Sequence, residues 1–588
     1  MNVEQWRIHV LEPLLEGQKP TADVDGLGGL ALLAADADRV QDYVFESAKL
    51  PEVRGASRQL DDKNDQIKIL VGERFHPRCV IYAGGGSLLA LVPHLPATLD
   101  DLRDKIETKY PAETGAATIT ADWRPVTTDM VILGYPNGGF GGLTRWAGGW
   151  LRRRKENKSA VPFYEVLSHA VRCRSCHLRP ADPRVSFDDW PLCKVCDDKR
   201  AYEGRNAWFR RFQQFLNEHP QNAHSKLAKK YYNGHKPFPP FPLPGKTDQV
   251  PPRQLPQDLL ELGQASQAKK GYVGFIHLDG DNLGDLFFQL TPANTFNKFS
   301  RQLKETTEQA VMTALANYLQ PARVQASETR AEVGEGPSPG KWVCIHPFEI
   351  ITIGGDDVWL IVPGDVALPL AAAISTGFKK AQLLRRDTGK LCTLSGGVVI
   401  ADDHNPVRVL RDLAKDLARE AKEARKNAEA EIGYIDFHIF KSADMLDRTL
   451  AKLRGYYPYT LLAGDKDLRL LGRPYPADVL SKLWKKLQAL RAHTPPFPPG
   501  QMHLLAESLL QGRRESSLFY EYQRARDTEG HFQRLDAALA LVQGCREIDP
   551  IPWQKLCNDR YSHQTALWDI AELYDFVSVT KEQSHDHD

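Results

Sequence analysis

Residues 348–363 read FEIITIGGDDVWLIVP, two apolar segments joined by Gly354, Gly355, Asp356 and Asp357. Apolar and β-branched residues on both sides of a glycine-containing turn predict a β-hairpin. The turn would place two adjacent carboxylates at the end of a sheet, where glycine lets a ligand approach the backbone closely. This geometry suits the binding of metal ions and phosphate groups.

A second acidic segment lies upstream of the hairpin. Residues 271–278, GYVGFIHL, read as a strand and are followed by Asp279 and Asp281. If this strand neighbours the hairpin, three or four carboxylates converge at one edge of the sheet, those of Asp279, Asp281 and the two hairpin aspartates. Each like-charge pair at about 4 Å costs on the order of 4 kcal/mol at an effective dielectric constant near 20. Such a cluster requires protonation or divalent cations, and oxygen ligands favour Mg²⁺ or Mn²⁺. We therefore predict a two-metal catalytic site.

The residues around these carboxylates are predicted to bind a nucleotide. Two metal ions can activate a 3′-hydroxyl, bridge a triphosphate and stabilise the departing pyrophosphate. The helix after the acidic strand would offer its free backbone amides to phosphate oxygens. The alternative is that both motifs are ordinary surface turns. The predicted nucleotide-binding residues of this region are Gly280, Asp281, Asn282, Leu283, Gly284, Gly354 and Gly355.

An earlier part of the chain repeats the same order of segments. LALLAA ends in Asp36 and Asp38, a helical pattern follows, and VIYAGGGSLLALVP comes later. A helix-length segment and another β-rich run follow each hairpin. The order strand, helix, hairpin, helix, strand predicts a ferredoxin-like α+β sheet in each copy.

The two copies differ at the hairpin. The first copy has Gly84, Gly85, Gly86 and Ser87 where the second has two glycines and two aspartates, so it lacks both hairpin carboxylates. Its glycines leave room for a nucleotide, and Ser87 could hydrogen-bond a phosphate or ribose. The competing interpretation is a degenerate structural repeat, in which Asp36 and Asp38 cap the next helix.

Four of the nine cysteines form a metal-binding pattern between the two copies. Their spacing is C-x2-C-x16-C-x2-C, which is typical of a zinc ribbon. Four thiolates complete a tetrahedral shell around Zn²⁺ and leave no position for substrate, so the predicted role is structural. Two unrelated reduced pairs, or redox dithiols, are the alternatives. The predicted zinc ligands are Cys173, Cys176, Cys193 and Cys196.

Composition limits the remaining classes. The 588 residues are 42% hydrophobic and 26% charged, as in soluble globular proteins, with no apolar run long enough to span a membrane. The first residues lack the apolar core of a signal peptide, so we expect a cytoplasmic protein. The net charge of +1 gives no global case for nucleic acid. The basic run from Arg152 to Lys158 fits a solvated face, with phosphate contacts as the alternative.

Proline marks two connections. Eight prolines between Lys236 and Gln257 exclude a helix or a central strand and predict an extended connection. A second cluster, residues 494–500, precedes leucine- and alanine-rich segments whose spacing suits amphipathic helices. The C-terminal region is therefore predicted to be helical.

These motifs together resemble the large polymerase/cyclase subunit of type III CRISPR effector complexes. The resemblance covers most of residues 25–570. It rests on the four cysteines, HLDGDNLG, IGGDDVWL, DRVQDYVFESAKLPEVRGAS, LSGGVVIA and AKEARK. It implies an α+β multidomain protein with two palm domains (1–150 and 261–470), a zinc-binding insert with its proline-rich connection (151–260) and a helical C-terminal domain (471–588).

The resemblance also implies an activity. The palm with the intact hairpin would join ATP molecules through 3′–5′ linkages into cyclic oligoadenylate when target RNA is bound, with Asp279, Asp356 and Asp357 coordinating Mg²⁺ or Mn²⁺. Lys422 matches a lysine that contacts the triphosphate in related cyclases, and a solvated helix lysine is the alternative. The first palm would bind the acceptor ATP. Other subunits of the complex, guide RNA and target RNA are the implied partners.

Two alternatives to this function remain at the level of sequence. A catalytically silent scaffold subunit would assemble normally but form no product. A stand-alone cyclic-dinucleotide synthase uses a similar palm, although the duplicated palm and the cysteine insert favour the multisubunit relative. Many family members begin with an HD nuclease domain. The first predicted strand begins near residue 28 and the pair His585-Asp586 lies in a polar tail, so no HD-type DNase activity is expected.

Overall fold

The computed structural model describes residues 3–135, 139–158, 169–186, 190–218, 227–229, 231–232, 255–329, 339–381, 392–441, 449–455, 459–462, 467–543, 551–556 and 561–578. Two predictions concern segments outside these ranges. Only residues 255–257 of the proline-rich connection are described, and the tail with His585 and Asp586 is not.

The first palm is built on a four-stranded antiparallel sheet. The central strand β1 is buried over its apolar residues 31–35, because helices pack over it. The strand order is β2-β3-β1-β4, the order of a ferredoxin-like sheet, as predicted. The strands are β1 (Ala31–Asp38), β2 (Val80–Gly84), β3 (Ser87–Val92) and β4 (Thr118–Pro125).

Seven helices belong to this part of the chain. The first two are joined by a π-helical turn, Arg7–Leu11, and a 3₁₀ turn, Pro77–Cys79, precedes β2. The longest helix, α4, follows β1 and packs against β2 and β3. The helices are α1 (Val3–Trp6), α2 (Glu12–Leu15), α3 (Val40–Val44), α4 (Leu50–Arg74), α5 (Pro96–Thr114), α6 (Thr128–Ile132) and α7 (Gly139–Asn157).

The cysteine-containing module follows the first palm. Its helices are α8 (Lys194–Ala201) and α9 (Ala207–Glu218), and α8 packs on α4. A Cβ atom at Gly55 would lie 1.7 Å from the carbonyl oxygen of Lys199, so only glycine permits this close packing. The module is therefore seated directly on the first palm.

The second palm repeats the first in a larger sheet. The order is β14-β11-β10-β5-β9-β8, in which the section β10-β5-β9-β8 reproduces the order of the first sheet. Strand β11 pairs parallel to β10, and β14 extends the edge. The strands are β5 (Tyr272–Asp281), β8 (Glu349–Gly354), β9 (Asp357–Pro363), β10 (Thr393–Asp402), β11 (Tyr434–Ile439) and β14 (Tyr475–Pro476), and a separate ribbon joins β6 (Ala322–Gln325) to β7 (Trp342–Ile345).

The helices of this palm cover the sheet. The strongly amphipathic α14 packs its apolar face on β10, and α12 packs against α13. They are α10 (Leu259–Gln264), α11 (Leu283–Gln289), α12 (Ala293–Tyr318), α13 (Gly364–Lys380), α14 (Val407–Asn427) and α15 (Leu450–Gly455).

The C-terminal region is mainly helical, as predicted, with one addition. A small sheet of order β12-β13-β16-β15 joins this region to the preceding segment. Its strands are β12 (Thr460–Leu461), β13 (Asp467–Arg469), β15 (Gln554–Lys555) and β16 (Tyr561–Gln564). The helices are α16 (Ala477–Ala492), α17 (Pro499–Ser508), α18 (Arg513–Ala525), α19 (His531–Gln543) and α20 (Leu567–Tyr574).

Membrane insertion is not indicated by any described helix. Within the ranges given above, none combines the length and the apolar composition that a bilayer crossing requires.

Candidate nucleotide and metal site between the two palms

The structure brings the three predicted catalytic carboxylates together. Strands β5 and β9 are antiparallel neighbours, with Leu278 opposite Val358, so Asp279 and the hairpin end at the same edge of the sheet. A Cβ atom on Gly280 would lie 2.8 Å from the Cβ atom and 2.9 Å from Oδ2 of Asp356. Glycine at position 280 is thus what allows the Asp356 side chain to lie across the acidic strand.

The turn itself spans Gly355 and Asp356. Gly354 pairs with Asp357, and Gly355 has φ of +81°, a conformation that glycine adopts without strain. The predicted hairpin and its register are those that the structure contains.

Charge crowding in this cluster is visible in the pKa of Asp356. Burial and, after it, the neighbouring Asp279 and Asp357 carboxylates together raise the pKa of this carboxyl to about 6, while Lys422 opposes them. The Lys422 ammonium group lies 2.5 Å from Oδ2 of Asp279. Lys422 therefore faces the acidic cluster and is not a solvated helix lysine.

Asp281 occupies a different environment from Asp279. Its carboxylate is buried and accepts hydrogen bonds from the hydroxyls of Thr393 at 2.6 Å and Ser395 at 2.7 Å. Burial raises the pKa of Asp281 above its usual value. The side chain thus ties β5 to β10 rather than opening toward the glycine hairpins.

The next three residues, also predicted to bind nucleotide, lie at the start of α11. Asn282 has a positive φ of +61° and precedes α11. Leu283 is buried, whereas Gly284 lines the cleft described below.

Strand β5 also carries a residue that the sequence analysis missed. Nε2 of His277 lies 3.0 Å from Oδ1 of Asp357, and its ring stacks on Trp359 with centroids 4.1 Å apart. The available signal was its position two residues before Asp279, which places both side chains on one face of the strand.

In the first palm, the two aspartates at the end of β1 are paired with neighbouring side chains. Lys155 lies 2.6 Å from Oδ2 of Asp36 and 3.0 Å from Oδ1 of Asp38. Ser87 donates to Asp36 at 2.7 Å, and Thr118 donates to Asp38 at 3.0 Å. All of these groups therefore satisfy one another within the first palm.

Three sequence-based interpretations of this region are corrected. Asp36 and Asp38 do not cap α3, whose N-cap residue Arg39 makes no side-chain capping bond, because both carboxylates bind Lys155 instead. Lys155 and Lys158 are not on a solvated face: Lys158 donates to the carbonyl of Ile119 at 2.6 Å. The Ser87 hydroxyl is directed to a carboxylate rather than left open for a ligand.

The two glycine hairpins face each other. A Cβ atom at Gly85 would lie 3.9 Å from the carbonyl oxygen of Gly354. Between the palms lies a cleft of about 1630 Å³ that both hairpins line, through Gly84 and Gly85 on one side and Gly354, Gly355 and Asp356 on the other. Gly86 instead packs near Ala37 and Val40.

Basic side chains dominate the described lining of this cleft. Eleven lysines and arginines line it against four acidic residues, which suits polyphosphate. They come mainly from α4, α9 and α12, so the positive surface is assembled from both palms and the cysteine module. The basic lining residues are Arg54, Arg58, Lys68, Arg78, Arg145, Arg205, Arg210, Arg211, Lys298, Arg301 and Lys304.

The part of the chain that carries the acidic cluster matches a known family. Residues 272–430 match the model for the second palm domain of Cas10/Cmr2. This part of the chain is Cas10-like. The resemblance that the sequence predicted is thereby confirmed for the second palm.

Solved structures share the fold of this chain over most of its length. A chain of the Csm1–Csm4 cassette in complex with cA4 is similar with a TM-score of 0.52 at 12% identity, covering 97% of this chain and 73% of that one. The cassette in complex with cA3 gives a TM-score of 0.50 at 14% identity, with coverages of 90% and 72%. No curated protein matches this chain by sequence.

The four cysteines of this chain form a compact cluster. Their sulfur atoms all lie within 4.8 Å of one another, and Sγ of Cys176 is 3.9 Å from Sγ of Cys193. Tetrahedral Zn²⁺ with bonds of about 2.3 Å requires sulfur separations of roughly 3.8 Å, so the cluster could hold zinc. The redox alternative is disfavoured because all four sulfurs share one site.

Buried ion pairs attach this module to the first palm. Arg200 binds Glu52 at 2.8 Å, and Lys199 binds Glu46 at 2.8 Å. Arg54, two residues after Glu52, pairs with Glu349 at 2.6 Å at the start of β8. Helix α4 therefore contacts the cysteine module and the strand that leads to the acidic hairpin.

Proposed function

We propose that this chain is the catalytic subunit of a type III CRISPR RNA-guided antiviral complex, which converts ATP into cyclic oligoadenylate when target RNA binds. The observation that carries the proposal is the acidic cluster of Asp279, Asp356 and Asp357, of which Asp356 lines a cleft with many basic residues and a second glycine hairpin. A silent scaffold would have no need for this crowded set of carboxylates.

The carboxylates suit divalent cations. Asp356 has its pKa raised to about 6 by burial and by its acidic neighbours, so positive charge placed beside it relieves repulsion. Asp279, Asp356 and Asp357 would hold two Mg²⁺ or Mn²⁺ ions, since oxygen ligands favour these metals. When bound, the ions would polarise the attacking hydroxyl and neutralise charge on the departing pyrophosphate.

The side chains of the cleft would orient two ATP molecules. The acceptor would lie beside Gly84 and Gly85, where the absence of side chains leaves room for its ribose, and the donor beside Gly354 and Gly355. The 3′-oxygen of the acceptor ATP would form a bond to the α-phosphorus of the donor ATP as the bond between that phosphorus and pyrophosphate breaks. The proton of the 3′-hydroxyl would be lost to solvent. Lys422 would exchange its contact with Asp279 for the donor triphosphate once cations are present.

The solved structures similar to this chain suggest which proteins it assembles with. The similar solved structures are cassettes of Csm1 with Csm4, in complex with cA4 or cA3. We propose that this chain likewise assembles with other type III subunits and with guide and target RNA. Binding of target RNA would then regulate the cleft.

The test uses the assembled complex with ATP, Mn²⁺ or Mg²⁺ and matching target RNA, with products identified by mass spectrometry. Wild type is expected to form cyclic oligoadenylate, and the Asp356→Asn/Asp357→Asn variant at least about 100-fold less. Asp478→Asn, at a half-buried position in α16 where the carboxylate pairs with Lys482, is the matched control and should retain activity.

Three results would refute parts of this proposal. Product from the double variant at the wild-type rate would refute the site. A cyclic dinucleotide formed without RNA would indicate the stand-alone synthase. An assembled wild-type complex that forms no product under any of these conditions would indicate a scaffold.

A further inference from the structure

His277 lies beside the acidic cluster without belonging to it. Its side chain is about 10% exposed, and Nε2 is 3.0 Å from Oδ1 of Asp357. One face of the ring stacks on Trp359, the residue opposite His277 in the β5–β9 ladder, with an interplanar angle of 14°. The ring can therefore neither swing away from Asp357 nor rotate without losing this packing.

The two ring nitrogens differ in their surroundings. Nδ1 is buried and has no hydrogen-bond partner among the described residues. A carboxylate can only accept a hydrogen bond, so the 3.0 Å contact with Asp357 requires a proton on Nε2. The proton belongs on Nε2, from which the ring donates to the Asp357 carboxylate.

This hydrogen bond restricts Asp357. Asp357 is the first residue of β9 and its side chain is 38% exposed, so packing alone does not fix the orientation of the carboxylate. With Oδ1 engaged by His277, Oδ2 is the oxygen left for another ligand. Donors that hold a ligating side chain in this way commonly change metal affinity 10–100-fold when removed.

We propose that His277 is a positioning residue that orients Asp357 for divalent cation binding. The proposal rests on the two-metal site of the proposed function and adds a residue to it. In the absence of cations Lys422 holds Asp279, and Asp356 packs over Gly280. His277 supplies the corresponding constraint for Asp357.

A merely structural role for His277 makes a different prediction. If the ring served only to pack on Trp359, phenylalanine would replace it well, and glutamine would not. If the Nε2 donor matters, glutamine, which carries an amide donor, should replace it better than phenylalanine. The pair His277→Phe and His277→Gln therefore separates ring packing from hydrogen bonding.

The experiment measures Mn²⁺ binding to the purified full-length chain by electron paramagnetic resonance of the free ion, together with the melting temperature without metal. His277→Phe is expected to bind Mn²⁺ at least about 10-fold more weakly at an unchanged melting temperature, and His277→Gln to recover most of the affinity. In the complex, His277→Phe should lower kcat and leave the KM for ATP nearly unchanged, with partial rescue at high Mn²⁺.

Several outcomes would overturn the proposal. These are wild-type affinity in His277→Phe, a loss of affinity in both variants that follows a lowered melting temperature, or wild-type Mn²⁺ binding that Asp357→Ala does not change. The proposed function can fail separately: Mn²⁺ binding that depends on Asp357 and His277, with no oligoadenylate from the complex, would support the positioning role and reject the activity.

Discussion

The acidic strand ends of the two palms are held by corresponding residues. In the first palm, Thr118 and Thr120 on β4 donate to Asp38. In the second palm, Thr393 and Ser395 on β10 donate to Asp281 in the same manner. The residue after each of these aspartates, Arg39 or Asn282, has a positive φ. The repeat therefore extends to individual hydrogen bonds and backbone conformations.

The two strand ends differ in what faces the other aspartate. Asp36 is bound by Lys155 and Ser87, whereas Asp279 contacts Lys422 and lies beside two further carboxylates. Lys155 also binds Asp38, and Lys158 lies 3.9 Å from Oδ2 of Asp38, so two ammonium groups balance the two carboxylates of the first palm. The proposed cation site therefore lies at the strand end whose facing hairpin adds carboxylates.

The cysteine module is attached to the first palm, and loss of its cysteines should have the largest effect on stability. Cys193→Ser/Cys196→Ser is expected to lose one zinc ion per chain and roughly 4–5 kcal/mol of stability, because the module's buried ion pairs lose their scaffold. Metal analysis and thermal unfolding would test this expectation. Cys392→Ala, outside the cluster, should keep its zinc; equal zinc in both variants would exclude the cysteine site.

The two lysines should differ in what their loss affects. Lys422→Met is expected to reduce oligoadenylate formation about 100-fold, equivalent to about 2.7 kcal/mol, with stability changed by less than about 1 kcal/mol. Lys155→Met should instead lower stability by about 1 kcal/mol, because Asp36 loses its cation while Asp38 keeps Lys158. Turnover and urea unfolding of both variants would test the contrast, and identical profiles would contradict it.

Protons and Mn²⁺ should compete for the Asp356 carboxylate, which the first palm lacks. The folded pKa of Asp356, about 6, lies above its usual value of 3.8, so the folded carboxyl is protonated between these values while the unfolded one is ionised. Metal-free stability therefore gains from this group as the pH falls from about 6 to about 4. Mn²⁺ affinity should fall by up to about 10-fold per pH unit below about 6. A flat Mn²⁺ affinity from pH 5 to pH 7 would contradict this assignment.

Introducing one hairpin carboxylate into the first palm should not create a Mn²⁺ site there. Gly86 stands where the second palm has Asp356, but its φ is +91° and a Cβ atom would lie 3.2 Å from that of Ala37. Gly86→Asp is expected to cost about 1 kcal/mol and to add no Mn²⁺ site. Mn²⁺ stoichiometry and melting temperature would test it, with Gly85→Asp, which meets no atom closer than 3.7 Å, as the comparison.

Local patterns predicted much of the fold and of the candidate site. The alternation of apolar segments and glycine turns predicted both ferredoxin-like sheets, because strand and turn preferences depend on neighbouring residues. The same reasoning identified Asp279 and Asp356. It missed His277 and assigned Lys155 to a solvated face, because neither partner is close in sequence: Lys155 and Asp36 are 119 residues apart.

Residue types at short, fixed spacings were enough to predict the two ferredoxin-like sheets, the acidic hairpin and the four-cysteine pattern. The contacts of Lys155 with Asp36 and Asp38, the hydrogen bond from His277 to Asp357 and the cleft shared by the two glycine hairpins are visible only in the folded chain. These contacts arise from the packing of distant segments, and their partners are chosen by the sheet order and the helix positions rather than by local sequence.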